Sequence, residues 1–208
     1  MFELRRKDLD AIRGVVHVLC PRAVVLDRTG RVRSARAILG CDHRVVTLIT
    51  VRAVAPERWQ EYRDLRLAAL TLDPDAFAST LTREAGFTSA QWRERCTNPD
   101  SFIGYLDGRP VALAGLLPSD GPRRELVGVW TAPTARGHGV AEEVCRAAIQ
   151  AAEKSGSTAV VLLVAGSADS ARRLYRRLGF VETGHTEPMP RDESLLLTEM
   201  VLRQANRQ

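Results

Sequence analysis

Beyond residue 50 the apolar positions change rhythm at short intervals, from the two-residue alternation of strands to the three- and four-residue spacing of helices. Val51 and Ala53 alternate with polar neighbours and predict a short strand ahead of Pro56, a residue suited to a first helical position. Trp59, Tyr62, Leu65, Leu67, Ala69 and Leu70 follow a mostly helical period up to the turn signal Asp73-Pro74-Asp75. A second helix is predicted across TSAQWRERC, with Thr88 or Ser89 as its cap. SFIGYLDGRPVALAGLLP reads as a hairpin, two apolar runs around Asp107-Gly108, and RELVGVWTAP supplies the next strand. Val140, Ala141, Val144, Cys145, Ala148, Ile149 and Ala152 then recur at three and four, which predicts an amphipathic helix closed by Gly156. TAVVLLVA is nearly continuous in apolar residues, the pattern of a strand covered on both faces. Ala171, Leu174, Tyr175 and Leu178 restore the helical period up to Gly179, and SLLLTEMVLR ends the pattern as a strand.

The first 49 residues show only weak signals: a strand at Ala23–Leu26, a turn at Asp27–Gly30 and a strand at Arg44–Thr50. They hold ten arginines and lysines against five acids, while the other 159 residues hold twenty against twenty. The net charge of +5 therefore belongs to this segment alone, and the rest of the chain gives no electrostatic case for nucleic acid. We divide the chain into a basic N-terminal extension, 1–49, poorly ordered or the product of a start placed too far upstream, and a domain over 50–208. A basic arm that touches a partner is the other reading of the extension. Apolar runs such as Ala159–Ala165 are too short to cross a bilayer, and the mixed charges of the opening residues do not resemble a secretory signal. Cys20, Cys41, Cys96 and Cys145 read as reduced thiols, so a cytoplasmic protein without membrane contact is expected. His17, Cys20, Cys41 and His43 depart from familiar zinc-ligand spacings, and no metal is expected.

Chemistry concentrates in Arg136-Gly137-His138-Gly139, where a strand passes into a helix. A helix start gathers unpaired N–H groups and the positive end of the dipole, and glycines let an anion approach the backbone. Two phosphate cradles are excluded: no lysine follows in the P-loop pattern, and Glu142 stands where a dinucleotide fingerprint needs its third glycine. The turn is thus either another kind of phosphate cradle or a glycine-rich connection that binds nothing.

Arg136-Gly137-His138-Gly139-Val140-Ala141 resembles the signature of the GNAT superfamily of N-acetyltransferases: Gln or Arg, two residues, Gly, one residue, then Gly or Ala. ELVGVWTAP looks like that family's fourth strand, and ARRLYRRLGF, residues 171–180, is similar to its second signature. The resemblance covers roughly residues 50 to 203. It implies a mixed α/β (α+β) fold, a central splayed sheet of about six to seven strands flanked by helices. It also implies acetyl-CoA as co-substrate, with the diphosphate on the backbone of Arg136, Gly137, His138, Gly139, Val140, Ala141 and Glu142. The pantetheine arm would pair with Val129, Trp130 and Thr131. Tyr175 would protonate the departing thiolate, and Glu125, four residues before Val129, would take the proton of the acceptor. The implied reaction is acetyl transfer to a primary amine of a small molecule or protein, by direct attack in a ternary complex. A non-catalytic acyl-CoA sensor of the same fold is the alternative, favoured by Ala168, which stands where many members carry a donor-contacting asparagine. Ser167 and Asp169 flank it. The acceptor pocket is expected from residues 56–90 and the last hairpin, with Trp59, Tyr62, Phe77, Phe87 and Trp92. The protein would be a monomer or homodimer.

Overall fold

The computed structural model describes residues 23–26, 32–38, 47–98, 100–117, 119 and 121–204. The turn expected at Asp27–Gly30 and the four His and Cys positions between 17 and 43 lie outside these residues. One nine-stranded sheet runs in the order β1-β2-β3-β4-β5-β6-β7-β9-β8. Its strands are β1 (Ala23–Leu26), β2 (Val32–Ile38), β3 (Thr47–Ala53), β4 (Ser101–Leu106), β5 (Arg109–Leu116), β6 (Arg123–Thr131), β7 (Ala159–Ala165), β8 (Val181–Met189) and β9 (Asp192–Arg203). The strands β3 to β9 make up the expected seven. β1 and β2 carry the sheet further by antiparallel pairing onto β3, which spans the 49/50 position.

Every neighbouring pair is antiparallel except β6 and β7. Asp107 and Gly108 both take positive φ, 50° and 79°, between β4 and β5, as the two-residue hairpin turn requires.

Helices cover both faces. α1 (Trp59–Leu72), α2 (Leu81–Ala85) and α3 (Ser89–Arg95) lie with the cluster that includes Ile103, Tyr105 and Leu113 from the sheet. Thr88 caps α3 through a reciprocal pair: its hydroxyl accepts from the Gln91 N–H at 3.3 Å, and Gln91 Oε1 accepts from the Thr88 N–H at 2.8 Å. α4 (Val140–Lys154) and α5 (Asp169–Arg177) pack on the other cluster, where Val140, Val144 and Ala148 meet β3, β5 and β7. Gly156, φ 81°, follows α4 in the left-handed region. Gly104 on β4 makes room for α4, since a Cβ there would stand 2.8 Å from Val140 Cγ1.

Charge is buried under α1. Arg66 grips Glu84 of α2 with two hydrogen bonds, Nε–Oε2 3.0 Å and Nη2–Oε1 2.8 Å, in a site closed to solvent. Burial alone would raise the Glu84 carboxyl, but the bonds and charge of Arg66, helped by Arg95, outweigh it and hold the carboxyl below its usual range. Arg66 also stacks on Phe77, 4.4 Å from the ring centre.

Candidate active site

The site begins where two strands part. β6 and β7 pair in parallel at Arg123↔Ala159, Arg124↔Val160 and Glu125↔Val161. Both strands continue beyond this, β6 to Thr131 and β7 to Ala165, with no further pairing between them. β6 carries one extra residue opposite β5, because Trp130 pairs with Leu113 but Val127 pairs with Gly115. Gly128 absorbs it at φ 64°. The bulge changes the face that side chains meet: Leu126 enters the α4 core, whereas Trp130 enters the α1 core.

A cleft of about 840 Å³ opens there, bounded by the end of β6, the turn before α4 and the start of α5. Val129, Trp130, Thr131 and all of residues 136–142 line it, as do Ala168 and Tyr175. The ten expected donor-binding residues thus share one wall system with the expected acid.

The turn has the local structure of an anion cradle. Gly137 and Gly139 both sit at φ 82°, a conformation side chains rarely adopt, and a Cβ on Gly137 would meet only open space. The helical ladder of α4 begins with the Glu143 N–H donating to the Gly139 carbonyl at 3.2 Å, so the amides of Gly139, Val140 and Ala141 precede it. The negative charge of Glu142 beside them is matched by Arg146, 2.6 Å away. His138 Nδ1 stands 3.1 Å from the Arg136 carbonyl and must donate to it, so the ring is occupied with its own turn. Arg136 gives its Nη2 to Asp73 at 2.6 Å and its Nε to the Thr131 carbonyl at 3.1 Å. The Thr131 hydroxyl oxygen is buried without a hydrogen-bond partner on this wall, an atom a donor ligand can satisfy.

Tyr175 is buried on α5, its ring edge-to-face with Phe180 at 5.9 Å. Burial, with a smaller effect from Cys145, lifts its phenol far above the ordinary tyrosine range, so it stays a donor at every working pH. Glu125 does not line the cleft. It alternates with Arg124 and Leu126, and so faces the other side of the sheet, with Glu187 and Glu199. Burial first, then those two charges, raises its carboxyl above the ordinary value.

Ala168 leaves the N-cap position of α5 without a side-chain bond, and Ser167 and Asp169 beside it line the cleft. The five aromatics of the segments expected to build the acceptor pocket pack as follows. Trp59, Phe77 and Trp92 are core residues, and Tyr62 and Phe87 pack edge-on against Trp92 at 6.2 and 5.5 Å. Aromatic pairs favour this edge-to-face arrangement. Three charged cleft residues were not expected. Asp73 belongs to a Pro-containing motif that reads only as a turn, while Arg173 and Arg177 share the cleft-facing side of α5 at a spacing of four. Their neighbours Arg172 and Arg176 are instead clamped on Glu182 at 2.8 and 2.7 Å.

Comparison with known proteins agrees with this geometry. A family model described as Acetyltransferase (GNAT) family matches residues 59–180. Among solved structures, a GNAT-family acetyltransferase from Streptococcus pneumoniae superposes with a TM-score of 0.64 at 18% identity, over 76% of this chain and 99% of that one. A putative acetyltransferase from Salmonella typhimurium, solved with its cofactor acetyl-CoA, gives 0.59 at 19% identity, over 77% and 96%. A ribosomal-protein-alanine N-acetyltransferase from Brucella melitensis gives 0.58 at 19% identity, over 74% and 99%. A search of curated proteins finds no match. The chain belongs to the GNAT family of acetyltransferases. It is an N-acetyltransferase.

Proposed function

We propose that the protein acetylates a primary amine, carried by a small molecule or a protein, by direct attack within a ternary complex. The observation that carries this reading is the parting of β6 and β7 immediately after Glu125, with the glycine turn on one side and the carboxylate on the other.

The amides of residues 136–142 take the diphosphate, and the free edge of β6 at Val129, Trp130 and Thr131 holds the pantetheine as an added strand would be held. The thioester then lies in the gap between the strands. An amine arriving from the Glu125 face loses a proton to that carboxylate, directly or through a water, and its lone pair attacks the thioester carbonyl carbon. The carbon–sulfur bond breaks, and Tyr175 donates its hydroxyl proton towards the departing sulfur. A phenol raised by burial is a weak acid, but the same dry surroundings penalise a bare thiolate, so the two anions are balanced against each other. No covalent enzyme intermediate is formed.

Replacing Tyr175 by Phe tests the assignment, in an acetyl-transfer screen against a panel of amines. The expected result is a fall in kcat of about 10²-fold with coenzyme binding retained. Unchanged kcat removes Tyr175 from the chemistry.

A further inference from the structure

Asp73 closes α1 and does nothing in the reaction described above, yet it makes two short contacts on the cleft wall. Its N–H donates to the Ala69 carbonyl at 3.0 Å, and Pro74 follows, so the helix end fixes where its side chain stands. One carboxylate oxygen, Oδ2, accepts from Trp130 Nε1 at 2.7 Å and from Arg136 Nη2 at 2.6 Å. Arg136 is tied at its other edge to the Thr131 carbonyl. The α1 end thus meets the β6 end and the glycine turn, 57 and 63 positions further along the chain, at a single guanidinium–carboxylate pair.

We propose that Asp73 is the positioning residue of the donor site, and that Arg136 is the other half of that brace, not a counter-ion for the diphosphate. The inference rests on the donor-site reading above. Its geometric basis is that two of the guanidinium nitrogens of Arg136 are already engaged, Nη2 with the Asp73 carboxylate at 2.6 Å and Nε with the Thr131 carbonyl at 3.1 Å. A carboxylate on a wall that receives phosphates repels them unless a cation neutralises it, which Arg136 does. More loosely held positive charge comes from the opposite wall. There Arg173 donates to the Ser170 hydroxyl at 3.4 Å, and Arg177 pairs with Glu142 at 3.9 Å.

The test is a calorimetric titration of CoA into the wild-type chain, D73A, D73N, R136A and the D73A/R136A double variant, each with a thermal melt to verify folding. A brace predicts that D73A and R136A each weaken CoA binding by about tenfold, and that the double variant loses no more than either alone. It also predicts that D73N, whose amide oxygen still accepts from Trp130 or Arg136, recovers most of the loss. Should D73A not fold, the D73N and R136A titrations decide by the same comparison. A D73A variant that binds CoA as tightly as wild type, or more tightly because Arg136 is released to the phosphates, overturns the proposal. So do additive losses in the double variant. Failure of the wild-type chain itself to bind CoA is a separate result, and it removes the donor-site reading along with the brace.

Discussion

Glu125 is held where its charge is unwelcome. Burial and the charges of Glu187 and Glu199 disfavour its ionised form, so its carboxyl titrates above the ordinary value of 4.5. A base with a raised pKa accepts a proton more readily, and it is active only above that pKa. Acetyl transfer is therefore expected to fall as pH drops through a value higher than that of an ordinary glutamate. Folding raises this pKa, so the ionised side chain opposes the folded state at neutral pH, and neutralising it relieves the strain. E125Q should accordingly lose about 10²-fold or more in kcat while melting no lower than wild type. A pH–rate profile with a thermal melt checks both halves. Full activity with an unmoved acid limb returns Glu125 to an ordinary strand residue. Of the two neighbouring carboxylates Glu199 is paired with Arg123 at 3.0 Å, and Glu187 adds negative charge to the Glu125 face, which suits an acceptor that arrives as an ammonium ion.

Among the elements, the two helices that border the cleft differ in how they begin. α4 starts from a left-handed glycine and presents its amides to the cleft, whereas α5 starts at Ala168 with no side-chain cap. Ala168→Asn gives α5 the cap it lacks and adds a polar group to the wall. It should stabilise the fold by about 0.5–2 kcal/mol, raising the melting temperature, and lower the KM for acetyl-CoA. A variant with a higher melting temperature and an unchanged KM would confine Ala168 to a helix-capping role. Elements carrying local signals could be read from the sequence. The Asp107-Gly108 hairpin, the Thr88 cap and the Gly156 end stand where their residue chemistry places them, because each depends only on neighbours in the chain. β8 carried no such signal. It is an edge strand exposed along most of its length, so nothing forces its residues to alternate. α2 was equally silent, since its five residues are anchored by the Glu84–Arg66 pair, 18 positions apart. The mutual packing of the aromatics around Trp92 was silent for a related reason: composition shows rings, but only packing shows that they face one another.

For the molecule as a whole, function follows from a sheet used on both sides. The groups proposed to bind the donor gather beside α4 and α5, Glu125 faces away from them, and the parted strands connect the two. The glycine turn and Tyr175 were legible because short signatures carry them. Asp73 was not, because its role exists only once α1, β6 and the turn converge. The described strands β1 and β2 join the sheet at the edge remote from this gap, so the basic N-terminal segment adds its pairing away from the cleft. Among the described residues no helix is long and apolar enough to cross a membrane, and no group of side chains is placed to hold a metal ion. The central claim is that main-chain amides before and within the first turn of α4 hold the diphosphate. Amide NMR spectra recorded during a titration with CoA test it most directly. The account predicts that the N–H resonances of Gly137, Gly139, Val140 and Ala141 shift downfield and saturate together as each amide donates to phosphate. Saturable binding of CoA that leaves those four resonances where they were would contradict it.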